Sequence, residues 1–125
     1  MRQIYWFVVV CFCAFSLLAC SPPIEATLAL SQVEEAGKML FTTHCAACHT
    51  TVPGTVIVGP SLAGVATRAG TRVAGQDAPT YLQTSLLAPG AFIVDGFPES
   101  MPPDFGKRLS GEEFDAIVAY LLTLK

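Results

Sequence analysis

Cys45-Ala46-Ala47-Cys48-His49 gathers into five residues the side chains of this chain best able to do chemistry. Two thiols separated by two residues and followed at once by an imidazole form the C-x-x-C-H attachment pattern of c-type haem. The spacing lets both sulfurs reach the two vinyl-derived positions on one edge of the ring, while the adjacent imidazole is directed at the iron from the same side. Three other readings compete with this one. A zinc site needs a second ligand pair, but beyond the first twenty residues there is no further cysteine and only one other histidine, His44. A thioredoxin-like dithiol belongs in a βαβ setting, whereas this pair follows a helical pattern and enters a loop. A chance occurrence would leave two unpaired thiols exposed in an oxidising compartment. The residues favour haem attachment.

An iron held by His49 alone would keep an open position, and Met101 is the candidate for its other side. It stands in Ser100-Met101-Pro102-Pro103, in a loop bracketed by two helical patterns, where the prolines restrict the backbone and can hold a thioether in one place. A lone methionine is more often a core filler; the loop and its prolines favour ligation here. Met39, six residues before Cys45 on the first helix, is assigned to core filling. His44 abuts Cys45 and is confined to the attachment side. With His49 and Met101 both bound, the iron has no room for substrate, which leaves one-electron transfer. Methionine ligation raises the potential relative to bis-histidine ligation and suits delivery to a high-potential acceptor. The competing functions are a haem-based gas sensor or small peroxidase-like enzyme with a labile Met101, and a non-autonomous subunit of a respiratory complex.

Helical signals flank the motif. Ser31-Gln32-Val33-Glu34 fits a capping box and predicts a helix through Phe41, with Val33, Ala36, Gly37, Leu40 and Phe41 as its inner stripe. From Thr50 to Gln76 the chain is broken by Pro53, Gly54, Gly59, Pro60, Gly64, Gly70 and Gly75, which predicts loop with one helical turn near Leu62 to Thr67. Asp77 can cap a helix from Ala78 to Ala88, with Pro79 tolerated in its first turn and Pro89-Gly90 as its stop. Phe92 to Leu109 reads as loop again. A second capping box, Ser110-Gly111-Glu112-Glu113, opens a last helix whose Phe114, Ile117, Val118, Leu121 and Leu122 recur on one face. No strand pattern persists, so the fold class is all-α. Three main helices joined by long loops leave much backbone unsupported unless something else fills the centre.

The whole chain has 125 residues, 52% hydrophobic and 14% charged, which is room for one domain and excludes a multidomain enzyme. Seven basic against ten acidic residues, a formal −3, lack the basic excess that phosphate backbones require, so nucleic acid is not an expected partner. The mean hydropathy of +0.53 is concentrated at the N-terminus. There Met1-Arg2-Gln3 precedes an apolar run from Ile4 to Leu18, read as an export signal over residues 1–19. The run falls short of the roughly 20 residues of a membrane span, although an uncleaved anchor is the competing reading. Leu17-Leu18-Ala19-Cys20 resembles the lipobox of bacterial lipoproteins, which implies a lipidated Cys20 at the start of the mature chain. Residues 20–30, with Ser21-Pro22-Pro23, then form a short tether, and the domain occupies 31–125. Cys11 and Cys13 leave with the signal and Cys20 carries lipid. Cys45 and Cys48 alone remain, which is no disulfide framework.

From Ser31 to Lys125 the chain resembles a class I, monohaem cytochrome c. Gly37 followed by Phe41 is similar to the family's first-helix pattern, with Tyr120 placed as the aromatic partner from the last helix. Gly59-Pro60-Ser61-Leu62 is similar to the segment behind the proximal histidine. That likeness implies that the Pro60 carbonyl accepts the His49 Nδ1–H bond, an arrangement that sets the tautomer and raises ligand basicity. Arg68 stands at the offset of the family arginine that pairs with a haem propionate, against the alternative of a solvated loop arginine. Tyr81 to Phe105, with Leu86, Pro89, Gly96-Phe97 and Met101-Pro102, most resembles the cytochrome c domains of some oxidase subunits. The family's propionate-binding tryptophan has no counterpart, because the one tryptophan, Trp6, lies in the signal; Tyr81 is the candidate in its place. The resemblance implies one covalent haem c and redox partners such as a terminal oxidase or a quinol-oxidising complex. With the lipid anchor it also implies an extracytoplasmic, membrane-attached location, periplasmic or on the outer face of the cytoplasmic membrane.

Overall fold

The computed structural model describes residues 30–125, and among them the secondary structure is helical with no strand. The export signal, Cys20 and all of the tether but Leu30 lie outside the described residues. The elements are α1 (Gln32–His44), α2 (Val65–Ala69), α3 (Ala78–Leu87), a 3-10 turn at Pro89–Ala91, α4 (Phe105–Arg108) and α5 (Gly111–Thr123).

Both capping boxes form. The Ser31 hydroxyl accepts from the Glu34 amide at 3.3 Å, and the Ser31 amide donates to the Glu34 carboxylate at 2.6 Å. Ser110 and Glu113 repeat the exchange at 3.2 and 2.8 Å. The Asp77 carboxylate accepts from the Thr80 amide at 2.9 Å. Each bond satisfies an amide that the first helical turn cannot pair internally.

These bonds hold three carboxyls below their ordinary values. Bonds from the Ser31 backbone and then its side chain lower Glu34, the equivalent bonds from Ser110 lower Glu113, and bonds from Thr80 lower Asp77. A folded-state value below the unfolded one adds stability that is complete above the ordinary value and is lost as pH falls through the lowered one. Resistance of the holoprotein to denaturant should therefore hold from neutral pH down to about the ordinary glutamate value of 4.5 and fall below it. Glu113→Gln should flatten that acid limb, and a limb of unchanged steepness would show that the caps do not set it.

α1 and α5 cross in close contact. A Cβ at Gly37 would lie against the Ala116 carbonyl oxygen and 2.8 Å from the Tyr120 Cβ, so the missing side chain is what permits the approach. Phe41 and Tyr120 then pack with ring centroids 5.5 Å apart. Phe41, Leu82, Leu86, Phe105, Leu121 and the fully buried Ile117 form the centre of the core.

Three expectations need correction. α1 runs one turn beyond Phe41 to His44, its last amide bonds closed when Cys45 donates to the Phe41 carbonyl at 2.8 Å. Val33 and Met39 are 54% and 66% exposed, so neither belongs to an inner stripe or a core. Gly37 marks the close crossing with α5, and Val33, one turn before it, stays exposed. The expected loop from Phe92 to Leu109 contains α4. This turn forms because Phe105 is buried in the core while the Asp104 carbonyl accepts from the Lys107 and Arg108 amides.

Candidate functional site

The end of α1 delivers the reactive motif. Beyond Cys45 the chain closes a tight turn in which the Cys48 and His49 amides donate to the Cys45 carbonyl at 3.0 and 2.9 Å. Cys45, Cys48 and His49 thereby all line a single cavity of about 350 Å³. Its apolar wall is built from Phe41, Leu62, Val65, Leu82, Leu86 and Phe105, and Met101 lines the same space.

The two thiols are free. Burial pushes Cys45 up to about 11; the neighbouring Cys48 adds to the rise and the Arg108 guanidinium partly offsets it. Reactive dithiols instead sit at helix N-termini, where the backbone dipole lowers the thiol pKa, whereas Cys45 caps a helix C-terminus. Among the described residues no three His, Cys, Asp or Glu side chains converge as metal ligands.

His49 is held in one orientation. Its Nδ1 lies 2.9 Å from the Pro60 carbonyl oxygen. A carbonyl only accepts, so Nδ1 carries the proton and Nε2 presents a lone pair to a metal. The loop bearing Pro60 is tied to the motif from both sides: the Val58 and Gly59 amides donate to the Cys48 carbonyl at 3.2 and 2.9 Å, and the Leu62 amide to the Thr50 carbonyl at 2.8 Å. Gly59 lies flat against the imidazole, where a Cβ would stand 2.8 Å from Nδ1 and 2.9 Å from Nε2. Ser61 donates from its hydroxyl to the Val52 carbonyl at 2.7 Å. Arg68 lines the cavity and fastens the far end of this loop by donating to the carbonyls of Ala63 and, at 3.1 Å, Ser61.

Cys45, Cys48, His49, Pro60, Arg68 and Met101 are thus brought together around one cavity, and Tyr81 joins them, its ring edge-on to Phe92 at 5.9 Å. Met39, on the exposed side of α1, does not. Sequence reasoning placed Gly59 behind His49 without its role as the seat of the imidazole, and it missed the cavity-lining roles of Phe105 and Arg108 on α4 and of Arg72. The Gly59-Pro60 pair carried a signal for the first; Arg72 sits in a stretch without periodicity and carried none.

Two thiols and an oriented imidazole lining an apolar cavity, with a thioether in its wall, suit an amphipathic iron macrocycle bonded through one edge. This is the shell of a covalent haem protein. Residues 34–125 match the family model of cytochrome c, and the chain belongs to that family. No curated protein matches it closely. The protein has the all-α class I cytochrome c fold, holds one covalently attached c-type haem and is a haem-based electron carrier.

Proposed function

We propose that this protein is a one-electron carrier of an extracytoplasmic respiratory chain, with His49 and Met101 as the two axial ligands of its haem. The observation that carries the reading is that both side chains line one cavity, with His49 Nδ1 engaged by Pro60 so that Nε2 is the free nitrogen. When bound, the haem supplies one-electron exchange between ferric and ferrous iron. The protein residues do the rest. Cys45 and Cys48 fasten the ring, Pro60 and Gly59 orient the imidazole, the Met101 thioether favours the ferrous state, and the apolar wall keeps water from the iron. Arg68 adds a cation for a propionate beside its work on the loop.

The likeness of Tyr81 to Phe105 to oxidase-associated domains supports a terminal oxidase or a quinol-oxidising complex as partner. Lipidation at Cys20 would keep the domain at the membrane surface, and the several chains of a lipoprotein anchor stably where one would not. The ferric holoprotein should show the weak near-red band of methionine-ligated iron, keep its haem through acid–acetone extraction and bind no added carbon monoxide when reduced. Ready carbon monoxide binding would favour a gas sensor instead. Cys20→Ser should abolish lipid labelling, and unchanged labelling would remove the anchor.

A further inference from the structure

Although the chain is acidic, the charged residues on the otherwise apolar cavity wall are mainly basic. Of the seven Lys and Arg residues three, Arg68, Arg72 and Arg108, line it; of the ten acidic residues Glu99 alone does so among the described residues. Two of these arginines are already engaged. Arg68 donates to the Ser61 and Ala63 carbonyls. Arg108 lies 3.4 Å from the Asp104 carboxylate and 5.0 Å from the centre of the Phe105 ring. Arg72 is half-buried and, among the described residues, has neither a hydrogen bond nor an ion pair from its side chain.

A half-buried guanidinium without a partner is partly desolvated, and its planar fork matches a carboxylate in two parallel bonds. The backbone beneath it is tied down: the Arg72 amide donates to the Ala69 carbonyl at 3.2 Å and the Thr71 amide to the Arg68 carbonyl at 3.1 Å. Arg68 and Arg72 thus enter the cavity from α2 and the turn that ends it. A c-type haem brings two propionate carboxylates, and among the described residues Arg72 is the guanidinium on the cavity wall that has no side-chain partner of its own. We infer that Arg72 binds a haem propionate, an assignment that rests on the haem reading above.

The sign of the effect follows from charge. A cation beside a propionate holds its pKa down and offsets its pull toward ferric iron. Without the cation, the reduction potential at neutral pH falls. The pH at which the potential steps with propionate ionisation then moves up by about one to three units.

The test is voltammetry across pH on the holoproteins of Arg72→Gln, Arg72→Lys and Lys107→Gln. Lys107 is exposed and off the cavity wall, so its variant makes the same charge change elsewhere. The expected result is a lower potential and an upward-shifted step in Arg72→Gln, a smaller shift of the same sign in Arg72→Lys, and none in Lys107→Gln. Superimposable curves for Arg72→Gln and Lys107→Gln would overturn the assignment. If Arg72→Gln does not accumulate, Arg72→Lys decides through the propionate bending band in resonance Raman spectra. That band moves when a bidentate partner is lost, and an unmoved band overturns the assignment. A pyridine haemochrome assay on the unaltered protein separates the two levels. Absence of haem c there refutes the haem reading itself, whereas full haem with unchanged curves refutes only the role of Arg72.

Discussion

Met101→Ala should abolish the near-red band of the ferric protein, lower its reduction potential, and open the iron to cyanide when ferric and to carbon monoxide when ferrous. The three changes share one cause. A thioether stabilises ferrous over ferric iron, and axial ligands set haem potentials over a span of about 0.8 V, so a fall on the order of 0.1 V or more is expected. The thioether binds ferric iron weakly and depends on being held in place. Pro102 and Pro103 restrict the backbone beside it, and α4 and the core hold the loop's far end through Phe105. Met39→Leu is the matched control. Met39 is exposed on α1, off the cavity wall, so its variant should keep spectrum and potential and alter stability by no more than about 0.5 kcal/mol. A Met101 variant with an unaltered spectrum and potential would require the ligand assignment to be withdrawn.

The largest loss of stability should come from a single methyl group, in Gly37→Ala. The added Cβ meets backbone, the Ala116 carbonyl, and not the yielding end of a side chain, so α1 and α5 must separate. Overpacking costs about 1–3 kcal/mol, occasionally more, and a clash with backbone places this variant at the upper end. For a domain of this size that corresponds to a fall in melting temperature of roughly 12–24 °C, at about 4–8 °C per kcal/mol. Separation also parts the Phe41 and Tyr120 rings, so near-ultraviolet circular dichroism should change with the melting point. Gly111→Ala supplies the comparison. Nothing lies within 4 Å of a Cβ there and the residue opens α5, so the variant should melt at or slightly above the parent temperature. Equal melting points for the two variants would refute the close-crossing account.

The attachment chemistry, the helix starts and the buried face of α5 were legible in the residues alone because each depends on neighbours a few positions away. C-x-x-C-H carries its own geometry, S-x-x-E carries its own pair of hydrogen bonds, and the Ile117, Val118 and Leu121 spacing marks a face whatever covers it. The tertiary structure decided what covers each face and how far. Helical spacing placed Val33 inward, yet it is exposed, because periodicity names a side of a helix and not which of its residues a partner covers. α4 escaped notice because four residues with Gly106 among them have little helical preference, and burial of Phe105 supplies the stability. The loops were least legible. Gly59 against the imidazole, Arg68 on the Ser61 and Ala63 carbonyls and Arg72 on the cavity wall all join segments without periodicity. Their contacts depend on how the connecting chain closes around the cavity, and only packing in three dimensions determines that closure.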